Sequence, residues 1–333
     1  MRRKIICLTP VKNEAWILDY FLQSTSLWAD HIIVADQGSA DGSVEIAKKF
    51  DKVILVENTT QDYNESDRQK LLISEARKIS GENNIFMALD ADELLVNFHN
   101  NPDWEDLQRL DKGTTVWLPW LNVLPGNKTI YGSRSGGALF GYINDNEPHS
   151  GKTIHSGRLP SDLNENRVSY DSLKVLHFQY SVPARLYSKH RWYECFEKIK
   201  YPERNNIDIY RQYHHIDLPV EEIEEIDHKW LEKLQDNHIN ILDIKDDGKH
   251  WWDMHVCKLF DDYGVGYFKK QAIWYVNWNA IYQTYPDRKQ NNYISDPRNF
   301  LDKWVHAWLA KSQPHPFKFM NKVINKLLRL FKW

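Results

Sequence analysis

The first 95 residues alternate short apolar runs with amphipathic stretches, a pattern that restricts this part of the chain to β/α units stacked on a mostly parallel sheet. IICLTP reads as a strand that ends in a turn. From Asn13 or Glu14 onward, Trp16, Ile17, Tyr20 and Phe21 recur at helical spacing. HIIVAD (31–36) is a buried strand by its length and β-branching, and the polar turn QGSADGS follows it. Helices are expected at 44–50 and 66–79, and further strands at KVILVEN (52–58) and NIFMALD (84–90). Between 96 and 180 the strand-like runs TTVWLPWLNVL, KTIYG and LKVLHFQY read as the second half of the sheet, and helices dominate after Val182. The expected fold is therefore α/β: a Rossmann-like, mostly parallel sheet flanked by helices, with a helical C-terminal extension. The corresponding divisions are 1–215 (halves 1–95 and 96–215), 216–313, and a basic amphipathic helix at 314–333.

Composition narrows the function classes. With 42% apolar and 27% charged residues among 333, the chain can bury a sizeable core, which excludes a disordered or collagenous protein. Cys7, Cys195 and Cys257 are too far apart for a CxxC metal site and too few for a disulfide framework, so a reducing compartment is expected. MRRKIICLTP has too short an apolar stretch for a signal peptide, and nothing else approaches the roughly 20 apolar residues of a membrane span. Charge is uneven: 217–247 carries 11 acidic and 3 basic residues, whereas 316–333 carries 5 basic and none acidic. Such a short basic tail is not the broad basic face of a nucleic-acid binder, so nucleic acid is excluded as a partner. Fourteen tryptophans are expected mainly to fill the core, any exposed ring being a platform for sugars or a membrane interface.

In open α/β sheets the ligand crevice lies outside the carboxyl ends of the strands. The chain places Lys12, Asn13 and Glu14, then Asp36, then Asp90-Ala91-Asp92-Glu93 at those ends. In FMALDADELL an apolar strand runs straight into two carboxylates one residue apart, which can share a hard divalent cation with water and phosphate oxygens.

TPVKNEAWILDYFLQSTSLWADHIIVADQGSADGSVEIAKKF, then Arg68 in NESDRQKLL, then FMALDADELL, resembles in order and spacing the N-terminal half of family 2 glycosyltransferases of the GT-A fold. The resemblance covers about the first 95 residues. It implies a metal-dependent, inverting, hexosyltransferase-like enzyme. Such an enzyme moves a sugar from a nucleoside diphosphate, UDP foremost, to a glycan or lipid-linked acceptor in surface polysaccharide or lipopolysaccharide assembly. Carried over by position, Pro10, Asn13 and Glu14 line the nucleotide pocket and Asp36 bonds the base, with Gln37 standing where the family usually has a second acid. Arg68 packs near the nucleotide, Asp90 faces ribose and metal, and Asp92 is the principal ligand of Mg2+ or Mn2+, with Glu93 in support. His177 resembles the histidine that completes the metal or diphosphate site. For the general base the family usually has a carboxylate in a His-Glu pair, but KTIHSGRLP has Ser156 in its place. His155, Glu147 and Asp162 are therefore the candidates. Lys189, Arg191 and Trp192 are further candidates for diphosphate or sugar contact, or else an ordinary core face.

In the tail, Met320, Val323, Ile324, Leu327, Leu328 and Phe331 form one helical stripe opposite Lys322, Lys326 and Arg329. That pattern suits an anionic membrane surface, or alternatively docking on the core or on a second subunit. A cytoplasmic protein is expected, peripheral on the inner face of the membrane if the tail binds lipid. Two other readings compete. A haloacid-dehalogenase-like phosphatase also presents DxD after a strand, but it places that strand first and follows it with Thr or Val. A non-catalytic carbohydrate-binding protein or degenerate transferase predicts loss of the acidic ligands, yet Asp36, Asp90 and Asp92 are all present.

Overall fold

The computed structural model describes residues 2–60, 63–132, 137–160, 166–214, 223–248, 250–284, 293–330 and 333. The chain divides into two compact units, 1–182 with 222–247 and 183–221 with 248–333. The first unit opens with β1 (Ile5–Val11), α1 (Ala15–Ser26), β2 (His31–Asp36), α2 (Ser43–Ala47), β3 (Val53–Glu57), α3 (Glu65–Arg77) and β4 (Ile85–Ala88). It continues through β5 (Glu93–Val96), α4 (Pro102–Asp106), β6 (Thr115–Leu118), β7 (Trp120–Val123), β8 (Thr129–Gly132), β9 (Ala138–Ile143), β10 (Arg167–Ser169) and β11 (Lys174–His177). The chain then leaves this unit through α5 (Pro183–Lys200) and α6 (Asn206–Tyr213), and returns as β12 (Glu224–Glu225) and α7 (His228–Asp236).

Seven strands form the main sheet in the order β3-β2-β1-β4-β9-β6-β10, parallel throughout except for β9, which runs antiparallel to both neighbours. Alternate residues of a strand point to opposite faces, and here both faces are covered. Cys7, Ile32, Val34, Ile85 and Met87 join Ile17, Leu18 and Phe21 of α1 in one cluster. Ile6, Leu8, Ile33, Phe86 and Ala88 join Leu72, Ile73 and Ala76 of α3 in the other. The fold is thus α/β, with a parallel-rich sheet flanked by helices.

The run read as one strand region, TTVWLPWLNVL, is two strands in two sheets. Pro119 has no N–H for a ladder and lies between β6 of the main sheet and β7 of a second sheet ordered β12-β8-β7-β11-β5. The acidic stretch also differs from its reading as part of the helical C-terminal region. Ile226, Leu231, Leu234, Ile239, Ile241 and Ile244 bury in the main core of the first unit. Asn127, itself buried, donates from Nδ2 to the carbonyls of Ile241 (2.9 Å) and Ile244 (3.1 Å).

The second unit comprises α5 and α6 with α8 (Trp251–Tyr263), α9 (Trp278–Thr284), α10 (Phe300–Ser312) and α11 (Phe319–Leu330). Residues 183–214, read with the first domain, belong here because their apolar and charged partners are in α8 and beyond. Arg191 is buried and bonds Asp253 (Nε to Oδ1, 2.8 Å) and the Tyr275 hydroxyl (2.9 Å), so its guanidinium is committed to the scaffold. Trp192 is also buried, stacked on Phe196 at 5.0 Å. Lys189 lies over the Trp252 ring at 5.7 Å. Of the fourteen tryptophans only Trp304 is exposed, so the rings chiefly fill the core. No described helix is long and apolar enough to cross a membrane.

Candidate functional site

The loops after β1 and β2 lock together at the carboxyl edge of the main sheet. Asn13 takes a left-handed φ of 55°, which Asn tolerates better than most residues. Its N–H donates to Ser39 Oγ at 2.8 Å, and its Oδ1 accepts from the Ala40 N–H at 2.8 Å. The Glu14 N–H donates to Ser43 Oγ (3.0 Å), and Glu14 Oε2 accepts from Trp16 Nε1 (2.7 Å). These bonds tie both side chains to the loop framework, while Pro10 sits in register with Ala35 inside the sheet. Asp36 ends β2, is 6% exposed, and accepts from the Ser39 N–H at Oδ2 (3.0 Å). Among the described residues its buried Oδ1 has no hydrogen-bond partner, a costly arrangement that a polar ligand would relieve. Burial lowers the pKa of Lys12, against the pull of Asp36. Arg68, in the first turns of α3, places its guanidinium 5.5 Å from the Tyr63 ring centre.

Between β4 and β5 the chain turns through Asp90, Ala91 and Asp92. Glu93 is fully buried and accepts from the Asp90 N–H (2.8 Å), bracing the turn from inside. Arg158 crosses from the loop after β9 and spans the turn. It donates to both Glu93 oxygens, to Oε1 at 2.7 Å, and also to Asp90 Oδ2 at 3.0 Å and the Ala88 carbonyl at 3.3 Å. Its guanidinium also lies over the rings of Phe140 (5.1 Å) and Trp120 (5.7 Å). Burial pushes the Glu93 carboxyl up to about 7 against the attraction of Arg158. Burial likewise opposes the charge on Arg158, but Asp90 and Glu93 more than offset it and raise its pKa.

Strand register brings the second half of the site together. β11 pairs with β5 so that His177 opposes Glu93, and with β7 so that His177 adjoins Asn122. His177 Nδ1 is 2.9 Å from Asn122 Oδ1, an amide oxygen able to accept from an Nδ1–H and so to fix which ring nitrogen points the other way. Nε2 faces Asp92 Oδ2 at 3.8 Å. Trp120 stacks on the imidazole at 4.7 Å and fixes its plane. A histidine whose second nitrogen is held by an outer partner, opposite a carboxylate, fits a divalent cation completed by water and phosphate oxygens. Asp90, expected as a second ligand, accepts from Arg158 at Oδ2. Among the described residues no three His, Cys, Asp or Glu side chains converge on one metal position.

The base candidates separate. β9 runs antiparallel to β4 and pairs Ile143 with Ile85, so it ends at the amino edge of the sheet. Glu147 lies just beyond, its carbonyl held by Arg77 in the last turn of α3 (2.7 Å). Five residues of extended chain, ~16 Å, separate that edge from Asp90. Glu147 is therefore not brought to the Asp92–His177 pair. The loop then runs back along α3, where the N–H groups of Glu65 and Ser66 bond the carbonyls of Thr153 (2.9 Å) and Lys152 (3.2 Å). This delivers His155, exposed and at φ 56°, to the edge where Arg158 meets Asp90. Asp162 lies outside the described residues. Sequence reasoning missed Arg158, Asn122 and Trp120, and only the alternation of the β7 run hinted that Asn122 sits on a definite strand face.

No protein-family model matches the chain, and neither does any curated protein. Among solved structures, glucosyl-3-phosphoglycerate synthase from Mycobacterium tuberculosis, in complex with Mn2+, UDP and glucosyl-3-phosphoglycerate, is similar at 20% identity and a TM-score of 0.27. That match covers 35% of this chain and 44% of that one. A second, described as a mycobacterial protein, matches at 18% identity and a TM-score of 0.28, over 38% of this chain and 43% of that one. The chain thus spans less than half the length of the solved proteins it matches.

Proposed function

We propose that the first unit is a metal-dependent, inverting glycosyltransferase of the family 2 type. It takes a nucleoside-diphosphate sugar, with UDP as the favoured nucleotide, and serves a glycan or lipid-linked acceptor in surface polysaccharide or lipopolysaccharide assembly in the cytoplasm. The observation that carries this reading is the approach of Asp92, in the turn that follows β4 at the carboxyl edge of the parallel sheet, to His177 of β11, which Asn122 orients. Asp92 and His177 would hold Mn2+ or Mg2+, which when bound offsets the negative charge that grows on a departing diphosphate. Asp36 supports the assignment: its buried Oδ1 at the end of β2, without a partner among the described residues, would accept from a nucleobase N–H. Pro10, Asn13 and Glu14 shape the pocket through the interlocked loops, and Arg68 supplies positive charge from the start of α3. Arg158 holds Asp90 and Glu93 in place, which keeps the turn rigid enough to present Asp92. His155 is the preferred base, with Asp162 as its alternative, taking the proton of the acceptor hydroxyl as the new bond forms.

The test is a thermal-shift panel of UDP, GDP, dTDP and CMP, each with and without Mn2+, on the wild type and on Asp92→Ala. A ligand that binds only the native state raises its apparent stability. One nucleoside diphosphate should give a shift that requires the metal, and Asp92→Ala should lose it while melting normally without ligand. No shift with any nucleotide, or a shift that persists in Asp92→Ala, refutes the reading.

A further inference from the structure

We propose that α11 is an interfacial helix that seats the protein on an anionic lipid surface, through an apolar face that the structure leaves outside the core. This goes beyond the donor reading and stands on different residues. The stripe read from the sequence divides in two, apart from Phe331, which lies outside the described residues; Trp333 joins one part, and Phe319 and Leu330 join the other. Ile324, Leu328 and Trp333 turn inward, into a cluster with Ile207 and Tyr210 of α6 and Val305 and Leu309 of α10. Phe319 (78% exposed), Met320 (63%), Val323, Leu327 and Leu330 (72%) face outward. At 100° per residue these five outward side chains fill one arc of roughly 100° on the helix. Lys322, Lys326 and Arg329 fill the arc beside it, and Asn325 and Leu328 begin the docked side.

A docked helix cannot roll to hide its remaining apolar face, because Asn205 and Trp333 bond across its end and Arg329 is paired with Asp208. Five contiguous apolar side chains on a fixed exposed face mark an interaction surface. Its charge selects the occupant. The segment 316–333 carries 5 basic and no acidic residues, so a second copy would bring like charge to like charge. An anionic bilayer accepts both parts of the face: rings and aliphatic chains enter the acyl boundary while the lysine stems reach the headgroups.

Flotation of the full chain with vesicles tests this, comparing pure phosphatidylcholine with a mixture containing about one-third phosphatidylglycerol, on the order of composition where each lysine is worth about a fivefold change in binding. The wild type should float with the mixed vesicles, far less with the neutral ones, and be released by salt. Phe319→Ser/Leu330→Ser should reduce binding at least tenfold, and Lys322→Gln/Lys326→Gln about fivefold per lysine. Both pairs lie on the exposed side, so circular dichroism melts should match the wild type. Equal binding to neutral vesicles, no binding to either, or binding unchanged in both variants overturns the proposal. A concentration-dependent dimer in lipid-free sedimentation that Phe319→Ser/Leu330→Ser abolishes also overturns it, by giving the face to a second copy.

Discussion

Replacing Arg158 by Met tests whether the carboxylate turn is held by charge or by chain geometry. Methionine keeps an apolar stem against Trp120 and Phe140 but removes the guanidinium N–H groups that Glu93 and Asp90 accept, leaving Glu93 the Asp90 N–H. Glu93 is fully buried and cannot turn to water, whereas Asp90, 38% exposed at its side chain, can. Breaking a buried pair by removing one partner typically costs about 3–5 kcal/mol, and losing the two ring contacts adds about 0.5–1 kcal/mol each. We therefore expect Arg158→Met to destabilise the first unit by about 4–7 kcal/mol at pH 8. Neutralising the stranded acid should recover most of it, so that Glu93→Gln/Arg158→Met lies within about 2 kcal/mol of the wild type. Urea titration read by hydrogen exchange on peptides covering β1 and β4 separates this unit from the second. A loss below about 1 kcal/mol, or no recovery in the double variant, would show that the turn needs neither charge and would refute the reasoning.

Two further outcomes are expected. A Cβ at Gly141, in β9, would come within 2.8 Å of Val116 Cβ and 3.1 Å of Met87 Sδ, so Gly141→Ala should destabilise the first unit by about 1–3 kcal/mol in the same titration. Burial raises the Glu194 carboxyl of α5 to about 8, although the Ala272 N–H and Arg191 pull it down. The native state therefore holds a proton that the unfolded chain releases near its ordinary value, and stability of the second unit should fall as pH rises from about 4.5 to 8. Between pH 5.5 and 8.5 Glu194→Gln should lose about 3 kcal/mol less than the wild type in denaturant titrations, and equal losses would refute the assignment.

The first four strands and three helices lie within a few residues of where periodicity places them, because β-branched runs such as HIIVAD and the spacing Trp16-Ile17-Tyr20-Phe21 reflect local physics that tertiary contacts reinforce. Asp90, Asp92 and His177 are legible as polar residues at strand ends, but their relation is not. Asp92 meets His177 through the register of β11 against β5 and β7, which no local pattern encodes. Arg158 is invisible for the same reason, reaching Asp90 from 68 positions away. The 217–247 stretch misleads because its many acids conceal the spaced Ile226, Leu231, Leu234, Ile239 and Ile241 that bury. The charged groups of its described residues lie mostly on the solvent side, while those five apolar side chains determine where it packs.

The return of the chain to its first unit has a consequence for synthesis. Residues 183–221 leave the ribosome before the segment carrying β12 and α7, yet that later segment completes the core begun by the first 182 residues. The first unit therefore waits, with its sheet edge at β8 uncovered, while α5 and α6 emerge and themselves wait for α8 and α10. A stop or pause anywhere between residues 183 and 222 leaves two incomplete cores on one nascent chain, a situation in which chaperones that mask exposed sheet edges matter more than the final stability of either unit.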